Sequence, residues 1–312
     1  MNEPQQPRPM FATLMLLIVC TIWAGAFSAL KIGGEAVEHV FGREIPVATG
    51  AFFLCVRFTL AGLAMPLAMP RIFRRLDRRA ITGGVALGVC FSAHMLLQVV
   101  GLATGVSAGE SAFLTALFVV ITPLLQFAVL RRVPRPGVLV GVPFAVAGAA
   151  LIKGIPQSGL TLGAWLSVAA AAAYGVQIIV TDRVTRDVNT NAQTFVMIWT
   201  CAAITGLALL LAPGGVAMFD GRLGALAQDS RFWLTEGYLS VISTVGALAL
   251  VNRFQRETTP ARAAVLFTVV PVLAAVISIA LGREPVTEWL ALGAGLILIA
   301  NICAQFIGRR SV

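Results

Sequence analysis

The chain has 312 residues, of which 58% are apolar and only 12% are charged, with a mean hydropathy of +0.89 and a formal net charge of +9. This composition excludes a water-soluble globular domain, because too few charged residues remain to cover its surface. The positive charge does not predict nucleic-acid binding, since the arginines lie in short loops between apolar runs and not on a face with exposed aromatic residues.

A helix needs about 20 consecutive apolar residues to cross the hydrocarbon core of a bilayer. The sequence contains ten such runs, which leave no long polar segment for a soluble domain. We therefore predict an all-α integral membrane protein with ten transmembrane helices, because helices satisfy their own backbone groups in lipid. The predicted spans are 11–31, 47–69, 80–102, 108–130, 136–153, 160–181, 192–212, 232–252, 260–281 and 287–307.

The first of these runs has a second interpretation, as a cleaved signal peptide. It follows a short polar start and contains small residues around Ala24-Gly25-Ala26. The run is longer than a typical signal core, however, and carries Trp23 and Phe27. A first transmembrane helix is therefore the favoured interpretation.

One short segment occurs twice in the chain. Leu117-Phe-Val-Val-Ile-Thr-Pro123 recurs, one residue shorter, as Leu266-Phe-Thr-Val-Val-Pro271, about 150 residues later. This spacing predicts two five-helix repeats, 1–153 and 154–312. Because five is an odd number, the second repeat must enter the membrane from the opposite side, so the repeats are inverted. Inverted repeats are a recurrent design of secondary transporters, with the substrate site near the midplane between the halves.

The loops predict the orientation. Taken alternately from the N-terminus, one set of connections holds fifteen Lys and Arg residues and the other holds six. Since cytoplasmic loops carry the excess of Lys and Arg, we expect both termini in the cytoplasm and a multi-pass protein of the cell (inner) membrane.

Three motifs follow one another along the chain: Trp23-Ala-Gly-Ala-Phe27 with Lys31 closing the first span, Arg57-Phe58 in the second, and Leu281-Gly-Arg-Glu-Pro285 before the last. In this order and spacing the chain resembles the EamA-like family of the drug/metabolite transporter superfamily over its whole length. The resemblance implies a ten-helix transporter of small organic molecules, often an exporter of amino acids or related metabolites, with a cavity lined by the inner helices of both halves.

The first half departs from the family pattern at one turn. It has Leu130-Arg-Arg-Val-Pro134 where the family often carries a glutamate. This difference argues against a role for the turn carboxylate in either half, including Glu284.

His94 is the only histidine in a predicted span, and it shares one helical face with Phe91 and Gln98. An imidazole and an amide offer directional hydrogen bonds to a polar or zwitterionic ligand, although both could also be satisfied by neighbouring helices. Polar groups at this depth usually face a cavity or pathway, so His94 and Gln98 are substrate-binding candidates. A histidine could also couple transport to protons.

Aromatic residues supply further substrate-binding candidates. Trp23 and Phe27 lie one turn apart in the first span, and Tyr174 and Gln177 form a similar face in the sixth, its counterpart in the second repeat. Aromatic walls accept flat apolar groups, but they also pack in helix interfaces. Weaker candidates lie in the fourth and eighth spans: Phe118, Thr122, Ser243 and Thr244.

Arg57 lies near the centre of its span, where an unpaired charge is costly. We interpret it as a brace between helices, with attraction of a carboxylate substrate as the alternative. Every Asp and Glu lies in a loop or near a span end, with Glu110 and Glu236 the deepest, so no midplane carboxylate relay is expected. Pro123 and Pro271 remove backbone hydrogen bonds at matching places and are candidate gating hinges.

Glycines predict close helix packing in three places: Gly84 with Gly88, Gly101 with Gly105 and Gly109, and Gly293 with Gly295. The five cysteines all lie in apolar runs without paired spacing, which favours free thiols over disulfides or a metal site. No metal and no cofactor is expected.

Function is therefore expected to be export of small metabolites, first amino acids including aromatic ones, with drug efflux or other metabolite exchange as alternatives. A membrane-embedded enzyme is the rival of a different class, but clustered acids, metal ligands and a Ser-His-Asp spacing are missing from the sequence. The expected partners are a small-molecule substrate and the lipid bilayer, with no nucleic acid, and the expected state is a monomer or weak homodimer.

Overall fold

The computed structural model describes residues 9–131, 133, 136–151, 161–185, 188–254 and 266–307, and these form helices without any strand. Seven helical segments in this part of the chain are long and apolar enough to cross a membrane: Met10–Phe41, Pro46–Ala68, Arg78–Ala103, Ala108–Val129, Leu162–Val184, Thr190–Leu211 and Ser230–Val251. Three shorter apolar helices accompany them, at Pro136–Leu151, Val270–Ala280 and Glu288–Ala304. The prediction of an all-helical membrane protein is confirmed, with seven candidate spans.

We number the helices in chain order. They are α1 (Pro9–Phe41), α2 (Pro46–Ala68), α3 (Arg78–Ala103), α4 (Ala108–Ala116), α5 (Phe118–Leu130), α6 (Pro136–Leu151), α7 (Leu162–Val184), α8 (Thr190–Leu211), α9 (Leu223–Gln228), α10 (Ser230–Gly237), α11 (Ala247–Phe254), α12 (Val270–Ala280) and α13 (Glu288–Phe306). Two 3₁₀ turns, Pro70–Arg75 and Val216–Phe219, lie in the connections, and a π-helical segment, Tyr238–Gly246, joins α10 to α11.

Polar side chains fix where several helices begin. Asp77, Thr161, Asn189 and Thr287 each accept a hydrogen bond from a backbone N–H in the first turn of α3, α7, α8 and α13. These caps satisfy donors that would otherwise have no partner at a helix start. They therefore mark the edges of the apolar runs from which the spans were predicted.

Two clusters of buried apolar residues hold the helices together. The larger one joins α1, α2, α3 and α8 to the segment 230–254 and includes the fully buried Phe53, Phe58 and Leu239. The other joins α4–α7 to α12 and α13 and includes Leu114 and Ile297. Each cluster draws on both halves of the sequence.

Glycines bring some of these helices into close contact. A Cβ atom added to Gly84 would lie 2.7 Å from the Gln193 carbonyl oxygen, and one on Gly88 would lie 2.9 Å from that of Met197, so α3 approaches α8 backbone to backbone. Gly101 faces the Gly163 carbonyl in α7 in the same way, at 3.0 Å. Gly105 and Gly295 have open space instead, so they do not belong to the predicted seams.

Candidate functional site

A cluster of aromatic and polar side chains lies where α3 meets α4, α5 and α7. We call it the His94 cluster, and it consists of Phe91, His94, Gln98, Thr115, Phe118 and Tyr174. The His94 ring lies 5.8 Å from the Phe91 ring and 5.0 Å from the Tyr174 ring, and Tyr174 meets the Phe118 ring edge to face at 4.9 Å. Three predicted candidates, His94, Phe118 and Tyr174, are thus in direct contact.

Hydrogen bonds orient the polar members of this cluster. His94 Nδ1 lies 2.9 Å from the Ala170 carbonyl oxygen. Because a carbonyl only accepts, Nδ1 carries the hydrogen and Nε2 is the ring nitrogen left for a ligand. Gln98 Nε2 donates to Thr115 Oγ1 at 3.2 Å. These bonds fix α3 against α7 and α4, and they leave further polar capacity on both side chains.

Two more predicted candidates lie on the adjoining helices with polar atoms that lack a partner. Thr122 Oγ1 in α5 and Gln177 Oε1 in α7 are buried without a hydrogen bond. Gly175 lets α5 and α7 approach closely, since a Cβ there would lie 2.8 Å from Thr122 Oγ1. Buried polar atoms are nearly always bonded, so a water or a ligand between α5 and α7 would supply the bonds that these two atoms lack among the described residues.

A second aromatic group lies where α1 meets the segment 238–246 and residue 267, just before α12. We call it the Trp23 cluster, and it consists of Trp23, Tyr238, Ser243 and Phe267. Trp23 Nε1 donates to the Ser243 carbonyl oxygen at 3.3 Å, and Tyr238 Oη donates to the Ile22 carbonyl oxygen at 2.6 Å. The Trp23 and Phe267 rings lie 5.6 Å apart.

Phe27 does not join either cluster. It packs with Ala24, Ala112 and Ala274 in a small apolar group between α1, α4 and α12. Its position supports helix packing between the two halves of the sequence, and no polar candidate contacts it in that group.

The two clusters use equivalent residues of the repeated segment. Phe118 and Phe267 are the second residues of its two copies. Phe118 contacts Tyr174 in the sixth predicted span, and Phe267 contacts Trp23 in the first. Each copy therefore places its phenylalanine against an aromatic residue of the opposite half. Phe267, Tyr238 and Thr115 were not predicted as candidates, although the repeat could have indicated Phe267.

Arg57 lies between the clusters and is buried. Its Nε and one terminal nitrogen lie 3.4 and 3.2 Å from Thr244 Oγ1, its other terminal nitrogen lies 3.8 Å from Met95 Sδ, and its guanidinium covers the Phe58 ring at 5.5 Å. Thr244 in turn donates to the Leu239 carbonyl at 2.7 Å. Arg57 thus connects α2 to α3 and to the segment 238–246, which is the geometry expected of a brace.

Glu236, one of the two deepest acids in the sequence, is enclosed by the helix bundle. It is fully buried, interacts electrostatically with Arg57, and its Oε2 lies 3.5 Å from the Ser240 hydroxyl, which also contacts the Arg57 carbonyl at 3.1 Å. Glu236 Oε1 has no hydrogen bond. The sequence marked Glu236 as one of the two deepest acids, but it did not indicate that the carboxylate is buried near Arg57.

The described residues contain no group of three His, Cys, Asp or Glu side chains placed to hold a metal ion. The five cysteines are free thiols, of which Cys20 and Cys201 are buried and the others are partly exposed. The groups that the two clusters present to a ligand are hydrogen-bonding side chains and aromatic rings.

Comparison with protein families adds a decisive observation: the sequence model of the EamA-like transporter family matches residues 161–304. Over these residues the chain is similar to the EamA-like transporter family. That family is part of the drug/metabolite transporter superfamily, so the resemblance is confirmed over residues 161–304, which include the motif Leu281–Pro285.

Solved structures agree with this fold. One crystal structure of a protein matches with a TM-score of 0.58 and 17% sequence identity, covering 97% of this chain and 98% of the other. At that identity the likeness shows the fold alone. No curated protein matches the chain.

The EamA-like motif before the last helix has a structural role that the sequence argued against. Glu284 of Leu281–Pro285 accepts hydrogen bonds from Ser107 Oγ and, at 3.1 Å, from the Gly109 backbone N–H. Ser107 is also the N-cap of α4, where it forms a capping box with Glu110. The carboxylate therefore caps the positive end of α4. The absence of a glutamate from the corresponding turn of the first half did not predict this role, because Glu284 binds residues of the first half and not of its own.

Replacing Glu284 with glutamine is expected to lower the free energy of unfolding by about 1–2 kcal/mol, because a charge-assisted bond at a helix start becomes a neutral one. Unfolding of the purified protein in mixed micelles measures this. Glu44→Gln is the matched control, since Glu44 is exposed and lies in the connection between α1 and α2, outside any helix. Equal effects of both substitutions would contradict the capping role.

The two candidate hinges lie a few residues after breaks in their helices. The fourth predicted span is interrupted at Leu117, between α4 and α5, and the ninth is interrupted at residues 268–269, just before α12. Pro123 lies inside α5, and Pro271 lies in the first turn of α12. At each break a backbone N–H bonds three residues back, as in a 3₁₀ turn: Leu117 to the Leu114 carbonyl at 3.2 Å and Val269 to the Leu266 carbonyl at 3.1 Å. Each proline lies a few residues further on and has no N–H to donate to the preceding turn.

Proposed function

We propose that this protein is a secondary transporter that exports small organic metabolites, first of all amino acids including aromatic ones. Similarity to the EamA-like family supports a membrane transporter. The aromatic and hydrogen-bonding residues of the His94 and Trp23 clusters support a substrate with a flat side chain and polar ends. Within this proposal the clusters form the two walls of the substrate pathway.

The proposal includes ten transmembrane helices arranged as two inverted five-helix repeats, 1–153 and 154–312. The observation that carries it is the reciprocal pairing of Phe118 with Tyr174 and of Phe267 with Trp23. An axis in the membrane plane that relates two inverted repeats would exchange these two pairs. Alternating access would then consist of rocking one half against the other.

Helix contacts between the halves support the same symmetry. α3 packs against α7 and α8, while the segment 230–254 packs against α1 and α2. α4 and α5 contact α7, and α12 contacts α1. The remaining main contacts join α2 to α8, α4 to α12 and α6 to α13, each a helix with its own counterpart in the other repeat.

The charges favour a substrate of low net charge. Arg57 donates to Thr244 Oγ1 and also acts electrostatically on the buried Glu236, so its guanidinium is already engaged within the protein. A phosphate-rich substrate would require uncompensated cations in the pathway. A zwitterion instead presents one acceptor and one donor group, which Gln98, Thr122 and Gln177 can match.

We further propose that the protein is a multi-pass protein of the cell (inner) membrane with both termini in the cytoplasm, acting as a monomer or weak homodimer. The excess of Lys and Arg in one set of loops supports this orientation.

The test is uptake of radiolabelled amino acids by liposomes that contain the purified protein, with and without a pH gradient. We expect flux of small and aromatic amino acids above that of empty liposomes. Flux that responds to the pH gradient would add proton coupling, and flux of lipophilic cations alone would favour drug efflux over the proposal. A panel indistinguishable from empty liposomes would refute it.

Variants localise the activity in the same assay. Tyr174→Ala and Trp23→Ala are expected to lower flux about tenfold by removing the aromatic contacts to substrate, and His94→Ala and Gln98→Ala are expected to lower it as well. Trp165→Ala is the control, because Trp165 lies on the same helix as Tyr174 but is 58% exposed on the outside of the bundle. Transport that is unchanged in the cluster variants would remove them from the pathway.

A further inference from the structure

An open cavity of ≈440 Å³ lies where the 3₁₀ turn Pro70–Arg75 meets the start of α8. Its wall consists of Met69, Pro70, Arg71, Ile72 and Arg75 from one side and Asn189 and Asn191 from the other. The cavity lies outside both aromatic clusters. It lies beside the connection between α2 and α3, which is the loop richest in arginine. This end of the helices is expected to face the cytoplasm.

The two arginines of this cavity are available to a ligand. Arg71 and Arg75 are exposed, and neither forms a hydrogen bond, ion pair or ring contact within the described residues. The acid nearest in sequence, Asp77, instead uses Oδ1 to cap α3 at 2.7 Å from the Ala80 backbone nitrogen. Two unpaired guanidinium groups beside one cavity form a site that attracts a phosphate group.

The start of α8 adds to this attraction. Asn189 Oδ1 accepts from the Ala192 backbone N–H at 3.0 Å, which directs its amide oxygen to the helix and leaves its NH₂ group as a donor. The helix that follows has 22 residues, and its first turn carries partial positive charge. The Asn189 NH₂ group and the start of α8 would therefore attract an anion, as the two arginines do.

An exposed aromatic track leads away from the cavity along α8. Asn191, Phe195 and Trp199 are spaced four residues apart and so lie on one helical face. Phe73 of the 3₁₀ turn contacts the Phe195 ring at 5.5 Å, and Phe195 contacts the Trp199 ring at 6.5 Å. Phe73 is 57% exposed and Trp199 is 38% exposed.

The aromatic track runs along the axis of α8, as the acyl chain of a lipid beside this helix would. From Asn191 to Trp199 the helix rises about 12 Å, which carries the aromatic surface from the polar edge of the membrane into the acyl region. A free phosphate ion would use the arginines but not the rings. A phospholipid uses both, because its headgroup and its acyl chain are joined.

We propose that the cavity between the 3₁₀ turn and α8 binds the headgroup of an anionic phospholipid, with one acyl chain lying along Phe73, Phe195 and Trp199. Arg71 and Arg75 bind the phosphate, and the Asn189 amide and the α8 helix start donate to it. The bound lipid joins the connection between α2 and α3 to α8. This inference does not depend on the transported substrate.

The test is native mass spectrometry and thermal unfolding of the purified full-length protein with added phosphatidylglycerol, phosphatidylcholine or inorganic phosphate. We expect retained phosphatidylglycerol and a raised unfolding temperature with that lipid alone. Arg71→Gln combined with Arg75→Gln should weaken its binding by at least about tenfold. Arg78→Gln combined with Arg79→Gln is the control, since these equally exposed arginines do not line the cavity.

Other outcomes have defined meanings. Equal losses in the two double variants would show general attraction to a basic loop and overturn the site. Inorganic phosphate that competes as well as phosphatidylglycerol would overturn the lipid assignment. Phe73→Ser should weaken phosphatidylglycerol binding while leaving binding of glycerol phosphate unchanged, and failure of this difference would remove the aromatic track. Circular dichroism and gel filtration confirm that each variant is folded.

Discussion

Replacing Arg57 with methionine is expected to lower the free energy of unfolding by about 3–5 kcal/mol, because the substitution leaves Glu236 buried without its opposite charge. The substitution also removes the donor to Thr244 and the contact with Met95. Methionine keeps much of the apolar length of arginine, so the loss reports charge and hydrogen bonds more than volume. Titration with a denaturing detergent in mixed micelles measures the change.

A double-mutant cycle separates the charge pair from the other contacts. Glu236→Gln alone should also destabilise the protein, and the double variant should recover part of the loss, because it contains neither uncompensated charge. Arg43→Met is the matched control: Arg43 is exposed and pairs with Glu38 at 3.5 Å, so we expect a change of at most about 1 kcal/mol. Additive single effects would mean that Arg57 and Glu236 do not stabilise each other.

Replacing Gly141 with valine is expected to destabilise the contact between α6 and α13 by about 1–3 kcal/mol or more, the usual cost of overpacking. A Cβ atom on Gly141 would lie 2.7 Å from the Ala300 carbonyl oxygen, and one on Gly148 would lie 2.7 Å from that of Gly293. These are backbone atoms, which cannot turn aside as a flexible side chain can. The two helices would have to separate along their length.

Gly295→Val is the matched control for this seam. Gly295 lies on α13, where an added Cβ meets nothing within 4 Å. Both variants introduce the same β-branched residue into a helix, so the difference between them isolates helix packing. Thermal unfolding followed by gel filtration provides the measurement. If both variants unfolded at the same temperature, close packing of α6 on α13 would not contribute to stability.

Much of the helical architecture could be predicted from the sequence, because the length of an apolar run reflects the thickness of the membrane. The predicted spans 47–69 and 192–212 coincide within a few residues with α2 and α8. The predicted span 260–281 begins outside the described residues, and the structure shows α12 only from Val270 onward.

The predicted helix ends were wrong where contacts with other helices extend or interrupt a helix. The first predicted span ends at residue 31, but α1 continues to Phe41. Gly33 lies inside this helix as a packing position, since Phe53 and Thr235 approach it so closely that they leave no room for a side chain. The break at Leu117 and the π segment Tyr238–Gly246 likewise leave no mark on hydropathy.

The candidate site residues that the sequence could indicate are polar or aromatic residues inside apolar runs. His94, Gln98 and Tyr174 belong to one cluster and Trp23 to another, and their role in binding remains a prediction. Glu236 and Glu284 were undervalued, because their importance depends on Arg57 and on the start of α4, which are distant in sequence. Contacts between residues so far apart in the sequence cannot be predicted from the sequence of one chain alone.

The π segment Tyr238–Gly246 has a mechanical consequence. It holds more residues per turn than the α-helices on either side of it. This segment therefore contains more residues than an α-helix of the same length along the axis would. If the bulge moved by one residue, each side chain it passed would rotate by roughly 100° about the helix axis while the ends of the helix stayed in place. Ser240, Ser243 and Thr244 lie within this segment, so their orientation relative to Arg57 could change without unfolding any turn.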